Sequence, residues 1–243
     1  MVKFNVKPKQ PKIGVAEAVD PLPKHSSLGD AAYRSLKQSI VSGAFPIGEK
    51  LTIRAIAAAL ETSTTPARDA VNRLLAEGAL VNEGPKTVVI PPLTELAMDE
   101  LLHSRLALEG MAAERAAPHL TSADCKTLAK LQTTINENLD SKHFKDVLNA
   151  NWHFHFLIYN RSGWERVVQM IDSLWLRAGP SMHGLYPEFA ESKKGVRHHY
   201  AIIAAAEKRD PKALRFAVEA DIRDGCTQIL VSLQRSLRLA SVP

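Results

Sequence analysis

Apolar residues recur every three to four positions along most of this chain, the spacing that places them on one face of an α-helix. A first stripe runs through 30–42, and two shorter helices are predicted at about 52–60 and 65–78, with a tight polar turn between them. Thr65 is expected to cap the later helix, because Pro66 then falls at the first helical position, where a missing N–H breaks no bond. The region therefore predicts three helices, of which the last two form a helix-turn-helix.

Residues 81–90 break this pattern: they contain Gly84-Pro85-Lys86 and predict a short two-stranded wing with Lys86 near its tip. Beyond Pro91-Pro92 the spacing is helical again, with helices predicted at 94–118, from Thr121 onward, and at about 143–160, 164–178, 189–208 and 211–236. Antiparallel neighbours are predicted from short connectors at Ser162-Gly163, Gly179-Pro180 and Asp210-Pro211. The expected fold class is mainly α: an N-terminal winged helix-turn-helix followed by an all-α antiparallel helical bundle.

The chain divides by composition into three parts. Residues 1–26 hold five lysines and four prolines with no lasting period, which predicts a flexible basic tail. Residues 27–92 are expected to form the winged domain and 93–240 the helical domain. The formal net charge is +5, and most of it lies before residue 93, where 12 basic residues accompany 8 acidic ones. A basic first third on a near-neutral remainder is typical of a nucleic-acid module joined to a domain with another task.

Composition argues against several classes of protein. An apolar content of 45% suffices for a real core, and an aromatic content of 6% favours helices over sheets. No apolar run approaches the roughly 20 residues of a membrane span, and the N-terminus lacks the apolar core of a signal peptide. Cys125 and Cys226 are too few for a disulfide framework and are interpreted as reduced thiols. A cytoplasmic protein with no membrane partner is expected.

The predicted helix at 65–78 has two different faces. Its apolar face holds Ala67, Ala70, Val71, Leu74 and Leu75. Its polar face holds Arg68, Asn72 and Arg73. Such a helix, presented by a partner helix, suits the major groove of DNA, where Arg and Asn bind base edges. The alternative is that these arginines form only a solvated face.

Both regions resemble a known family. Tyr33 to Ile90 resembles the winged helix-turn-helix of the GntR transcription factors, and the remainder resembles the FCD ligand-binding domain of the FadR subfamily. The first match rests on Leu36, Ile40, the Gly43…Gly48…Leu51 turn, Ser63 to Ala70, Arg73-Leu74 and Glu77-Gly78. The second rests on Arg105 to Glu109, Phe154-His155, His199, Ile202, Ile203, Ala205, Asp210 and Ala213.

The resemblance implies a dimer that reads a palindromic operator in double-stranded DNA. DNA contacts are expected at Arg54, Thr65, Arg68, Asn72 and Lys86. Arg can bond guanine bidentately or clamp a phosphate, and Thr at a helix start can bond a phosphate. Thr64 stands where the family commonly has Arg, and Glu61 where it commonly has Gly. Operator sequence and affinity are therefore expected to differ from the common pattern.

The same resemblance implies a divalent metal in the helical domain. The family positions correspond here to Asn151, His155, His199 and Asp221, where Asp, His, His and His are usual. Four-residue spacing puts Asn151 and His155 on one helical face. An amide oxygen is a poorer ligand than a carboxylate, but two imidazoles and one carboxylate suit Zn, Ni or Mn. The alternative is a metal-free polar pocket lined by the two histidines.

Arg105 matches a pocket arginine of the family. A guanidinium beside a metal with open positions would hold a small carboxylate effector, such as a sugar acid or hydroxy acid. Arg105 could equally pair with Glu109, four residues further on.

The resulting hypothesis is a homodimeric transcription repressor, not an enzyme, whose operator affinity is controlled by a small organic acid bound beside the metal. One alternative is a metal-free regulator of a larger ligand, such as an acyl-CoA. A distant alternative is a metal-dependent hydrolase, but no His-Glu-x-x-His motif supplies the general base that it needs.

Overall fold

The computed structural model describes residues 27–183 and 194–240, so the predicted basic tail lies outside the described residues. The chain divides into two compact units. The first unit is built on 27–93 and includes 176–183 and 234–240, and the second consists of 94–175 and 194–233. None of the described helices is long and apolar enough to cross a membrane.

The first unit is a winged helix-turn-helix. Its elements are α1 (Leu28–Val41), β1 (Lys50–Thr52), α2 (Ile53–Ala59), α3 (Thr64–Ala76), β2 (Val81–Gly84) and β3 (Thr87–Val89). α1 packs on α3, and their facing sides bury Leu36, Ile40, Val71 and Leu74. A fully buried side chain of this kind stabilises the fold by about 1.5–3 kcal/mol, so these four residues hold α3 in place.

The wing has one strand more than predicted. The predicted hairpin of β2 and β3 is confirmed, but β3 lies between β2 and β1, with Leu51 opposite Val88 in an antiparallel pair. β1 has only three residues, and the central one alone is buried. So short a segment leaves too little alternation in the sequence to predict a strand.

The start of α3 also differs from the prediction. α3 begins at Thr64, and Ser63 occupies the cap position without a side-chain hydrogen bond, so the prediction that Thr65 caps this helix was wrong. Pro66 is the third helical residue, where its missing N–H still breaks no bond, because the first four N–H groups of a helix lack intrahelical partners. The predicted start of α2 is confirmed, since Oγ1 of Thr52 accepts from the Ala55 amide at 3.1 Å.

A helical bundle forms the second unit. The helices are α4 (Glu95–Ala116), α5 (Ser122–Asp140), α6 (Phe144–Asn160), α7 (Glu165–His183), α8 (Lys194–Lys208) and α9 (Pro211–Ala240), of which the ends of α7 and α9, at 176–183 and 234–240, belong to the first unit. The predicted restart of the helical pattern at Thr121 is confirmed, and the structure adds a reciprocal capping box of Thr121 and Asp124 at the start of α5. The predicted fold class, a winged helix-turn-helix followed by a helical bundle, is confirmed.

α7 departs from the prediction at its C-terminal end. A connector was predicted at Gly179-Pro180, but the helix continues to His183. Gly179 and Pro180 are buried, and a Cβ on Gly179 would lie 2.6 Å from the backbone of Val41. Close packing of this kind stabilises the last helical turns although Pro180 cannot donate to the helical ladder. The helix predicted at 189–208 is described from Lys194 onward, and its first residues lie outside the described ranges.

Candidate DNA-binding surface and metal centre

α3 presents one exposed polar face. Thr65, Arg68 and Asn72 are exposed, and spacings of three and four residues put them on the same side of the helix. Buried residues of α3 are Ala67, Ala70, Val71 and Leu74. The two predicted faces are therefore present, and the polar one is accessible within its unit.

Two further predicted DNA contacts lie outside α3. Arg54 is the second residue of α2, and Lys86 lies in the turn between β2 and β3. Both side chains are exposed. All five residues assigned to DNA are thus on the surface of the first unit, and their contact with DNA stays a prediction.

Arg73 does not belong to the groove face, so its grouping with Arg68 and Asn72 was wrong. Its guanidinium lies 3.7 Å from the ring centre of Tyr33 on α1, and its Nη1 bonds Oδ1 of Asp30 at 2.8 Å. The hydrogen bond from Arg73, together with one from Ser27, holds the pKa of the Asp30 carboxyl below its usual value. Arg73 therefore ties α3 to α1. Residues 72 and 73 are about 100° apart around a helix, which turns Arg73 toward α1.

Three of the four predicted metal ligands converge in the second unit. His155 on α6, His199 on α8 and Asp221 on α9 each offer one ligand atom, and these three atoms lie within 4.8 Å of one another. Both histidines are buried and Asp221 is half-buried. Asn151 lies one turn before His155 on α6 and is half-buried, so it stays a predicted fourth ligand.

The ring of His199 is held from outside this cluster. Its Nδ1 lies 2.5 Å from Oε1 of Gln132 on α5, and Phe154 stacks on the ring with centroids 4.2 Å apart. A carbonyl oxygen can only accept, so Nδ1 donates and the lone pair is on Nε2. Burial lowers the pKa of His199 to about 3, which keeps the ring neutral at pH 7. A neutral imidazole with one free nitrogen is the form that binds a metal.

His155 is oriented by a hydroxyl on its own helix. Its Nδ1 lies 3.3 Å from Oη of Tyr159. Its Nε2 lies 3.3 Å from Oδ2 of Asp221, but outside hydrogen-bond geometry, and this buried nitrogen has no hydrogen-bond partner among the described residues. A buried nitrogen in this state is costly unless another group binds it. The donor set and the unpaired nitrogen together fit a divalent metal ion.

Arg105 has a partner within its own helix. Its Nε lies 2.5 Å from Oε1 of Glu109, and its guanidinium lies 4.7 Å from the ring centre of Trp175. Burial lowers the pKa of Arg105, but the Glu109 carboxylate raises it by more, so the guanidinium keeps its charge. Of the two partners that the sequence left open, the structure provides Glu109. Contact of Arg105 with an effector stays a prediction.

Family models match both units. The model described as "Bacterial regulatory proteins, gntR family" matches residues 28–90, and that of the FCD domain matches residues 100–224. The HTH-type transcriptional regulator McbR of Escherichia coli K12 is 30% identical over 194 residues, which cover 79% of this chain and 88% of McbR. The chain belongs to the GntR family.

Solved structures of GntR proteins agree with this assignment. The structure of E. coli McbR/YncC matches with a TM-score of 0.79 at 27% identity, over 86% of this chain and 99% of that one. A GntR transcriptional regulator from Rhodococcus sp. RHA1 matches with a TM-score of 0.69 at 21% identity, over 85% of this chain and 99% of that one, and shows the fold alone. The predicted resemblance to GntR proteins with an FCD domain is confirmed, and the chain is a transcriptional regulator of this type.

In this GntR protein, sequence reasoning missed the residues that hold the two histidines. Tyr159 follows His155 by four residues, and that spacing was the available signal because it puts both side chains on one helical face. Gln132 lies 67 residues from His199 in the chain, so no local pattern connects the two. Trp175 was missed for the same reason, although its Nε1 donates to Glu109 at 3.0 Å.

Proposed function

We propose that this GntR protein is a cytoplasmic, homodimeric repressor of the FadR type that binds a palindromic operator and releases it when a small organic acid binds. The observation that carries the DNA-binding part is the exposed face of α3, formed by Thr65, Arg68 and Asn72. The opposite face of α3 belongs to the core, so this polar face is the one that can enter a groove.

Each residue of the proposed DNA surface has a role that follows from its chemistry. Arg68 and Asn72 have the donors and acceptors that discriminate bases in the major groove. Thr65 lies in the first turn of α3, where a hydroxyl and free backbone N–H groups suit a phosphate. Arg54 and Lys86 add positive charge toward the DNA backbone, which strengthens binding to any sequence.

The proposed effector is a small carboxylate, and the charges of the cluster determine whether it can bind without a metal ion. His199 is neutral at pH 7, and Arg105 is compensated by Glu109, which leaves the negative charge of Asp221 to dominate the cluster. A divalent ion held by His155, His199, Asp221 and Asn151 would supply net positive charge and open positions for oxygen ligands. We therefore expect an anionic effector to bind only in the presence of the metal.

We retain Arg105 in this proposal as a second contact for the effector. Because its guanidinium already bonds Glu109, an incoming carboxylate would have to share it with that residue. Lys at this position would keep the charge but lose the planar donors that serve two partners at once. Arg105→Lys should therefore weaken effector binding by more than it lowers the metal content.

A small difference in binding free energy is enough for the effector to control operator affinity. A tenfold loss of affinity corresponds to about 1.4 kcal/mol of difference in effector binding between two arrangements of the dimer. We propose that effector binding changes the placement of the two winged heads, so that they no longer match two half-sites at once.

DNA binding is tested with a duplex that the wild-type protein selects from a random-sequence library. Arg68→Ala should weaken binding to that duplex by about 10- to 100-fold in a mobility-shift titration. Arg166→Ala is the control, since Arg166 is an exposed arginine of the second unit. Failure of the wild-type protein to enrich any sequence, or equal loss in both variants, would refute an operator-binding function on this face.

The metal and the effector are tested on the same preparation. Elemental analysis of the purified protein should detect Zn, Ni or Mn, and much less in His199→Ala. Malate, gluconate and citrate are then added as probes, and a bound acid should raise the melting temperature by mass action. The rise should vanish after treatment with a chelator and return with the metal. An acyl-CoA that raises the melting temperature of the chelated protein would instead favour the metal-free alternative.

A further inference from the structure

A buried chain of hydrogen bonds leads from Arg105 to His155. Glu109 is fully buried and accepts from Arg105, from Oη of Tyr159 at 2.6 Å and from Nε1 of Trp175 at 3.0 Å. Tyr159 is fully buried as well, and its Oη also contacts Nδ1 of His155. The chain therefore ends on the nitrogen of His155 that faces away from Asp221.

The direction of each bond in this chain is determined by chemistry. A carboxylate accepts only, so the single proton of the Tyr159 hydroxyl goes to Glu109. The Tyr159 hydroxyl lies 2.6 Å from Oε2 of Glu109 and 3.3 Å from Nδ1 of His155, which agrees with this direction. Its oxygen can then only accept from His155, and Nδ1 of His155 must carry a hydrogen. A neutral ring with a hydrogen on Nδ1 has its lone pair on Nε2.

Without this contact the ring has another option. Nε2 lies 3.3 Å from Oδ2 of Asp221, and a hydrogen on Nε2 would be attracted to that carboxylate, so that a small turn of the ring would form an internal hydrogen bond. Two proposed ligands would then be engaged with each other, and Nε2 would have no lone pair for a metal. The hydrogen on Nδ1 excludes this arrangement.

We propose that Tyr159, held by Glu109, is a positioning residue that keeps the Nε2 lone pair of His155 directed into the cluster, an inference that rests on the proposed metal site. Arg105 and Trp175 act one step further out, because they fix the carboxylate that orders the Tyr159 hydroxyl. Gln132 has the same function for His199. Partners of this kind commonly change metal affinity by about 10- to 100-fold when they are removed.

The test begins with the metal-free wild-type protein labelled with ¹⁵N-histidine. Long-range ¹H–¹⁵N spectra at about pH 8.5, where an ordinary imidazole is neutral, report which ring nitrogen carries the hydrogen. His155→Gln assigns the signals of His155. The expected state is a hydrogen on Nδ1 and none on Nε2. A hydrogen on Nε2 in the wild-type protein overturns the proposal without any further variant.

Tyr159→Phe removes the hydroxyl and keeps the ring. In this variant the hydrogen of His155 should move to Nε2, and affinity for Zn²⁺, measured by competition with a chromophoric chelator, should fall about tenfold or more. Tyr33→Phe is a matched control, since Tyr33 also donates to a glutamate at 2.6 Å but lies in the first unit. Unchanged His155 spectra in Tyr159→Phe, or equal loss of affinity in Tyr33→Phe, would overturn the role of Tyr159.

The two proposals fail in different ways. If the wild-type protein binds no Zn²⁺, Ni²⁺ or Mn²⁺ but Tyr159→Phe still moves the hydrogen of His155, the metal site is refuted and the positioning of the ring stands. If the wild-type protein binds metal and Tyr159→Phe changes neither spectrum nor affinity, the metal site stands and the positioning role is refuted.

Discussion

The groove face of α3 and the interior of the second unit carry their proposed functions in opposite ways. Thr65, Arg68 and Asn72 are exposed, so their side chains contribute little to folding. Glu109 and Tyr159 are fully buried and bonded to each other. A substitution on the surface should therefore change binding and spare stability, whereas one in the interior should change both. Binding and stability can be separated in the first region and are coupled in the second.

The largest expected effect lies in the interior. Glu109→Ala removes the carboxylate that compensates buried Arg105 and accepts from Tyr159 and Trp175. The free energy of unfolding should fall by about 3–5 kcal/mol, because a buried charge is left without its partner. Urea denaturation followed by circular dichroism measures this loss.

Glu83→Ala is the matched surface control for this prediction. Glu83 pairs with Lys50 at 3.0 Å, and both side chains are exposed. A pair in that setting contributes about 0–1 kcal/mol because water screens it. Equal losses in Glu83→Ala and Glu109→Ala would show that burial does not determine the contribution of these ion pairs.

Two arginines of α3 sharpen the comparison within one helix. Arg68→Ala should lower operator affinity by about 10- to 100-fold and leave the free energy of unfolding unchanged, since the side chain is exposed. Arg73→Ala should leave operator affinity nearly unchanged and lower the free energy of unfolding by roughly 0.5–1 kcal/mol, because it removes the stack on Tyr33 and the bond to Asp30. Fluorescence anisotropy and urea denaturation measure the two quantities. A larger loss of affinity in Arg73→Ala would contradict the assignment of the faces.

The same contrast explains how much the sequence could predict. The two faces of α3 follow from residues within three turns of one another, so local spacing was enough to place Arg68 and Asn72. Local spacing could not place Arg73, because the ring that draws it is supplied by Tyr33 on another helix. It also misplaced the end of α7, where burial of Gly179 and Pro180 outweighs the usual effect of proline.

Local sequence spacing could not predict the metal cluster. His155, His199 and Asp221 come from three helices, and only the family resemblance connected them before the fold was known. The residues that hold the rings, Gln132 and Tyr159, are bonded through tertiary contacts and were not predicted. Chain patterns therefore predict surfaces made by one helix better than sites made by several.

Asp124 is a buried carboxylate that pairs with an exposed arginine, and its contribution to stability should depend on pH. It forms the capping box with Thr121 and accepts from Nη2 of Arg161 at 2.7 Å. Burial raises the pKa of Asp124, but Arg161 and Thr121 lower it by more, so the net shift is downward. A carboxyl with a lowered pKa stabilises the fold above its unfolded pKa, near about 4, and this contribution is lost as the pH falls through the folded pKa.

Asp124→Asn should therefore lower the free energy of unfolding by roughly 1–2 kcal/mol at neutral pH. The difference from wild type should be constant between about pH 5 and 7 and should shrink below about pH 4. Denaturation at three pH values measures it. Asp140→Asn, at the exposed end of the same helix, is the control and should lack this loss. A difference that grows on acidification would reverse the sign of the linkage.

The smallest expected effect distinguishes a phosphate contact from a base contact on the surface of the first unit. Lys86 lies in the exposed turn between β2 and β3, and a flexible point charge there suits phosphates better than bases. Lys86→Ala should weaken binding to all duplexes alike and reduce the slope of log affinity against log salt by about one, whereas Arg68→Ala should relax the preference at one base position. Titrations of the selected duplex and its single-base variants at several salt concentrations measure both. If Lys86→Ala instead changes the preferred base, the wing reads sequence, and base recognition is not confined to α3.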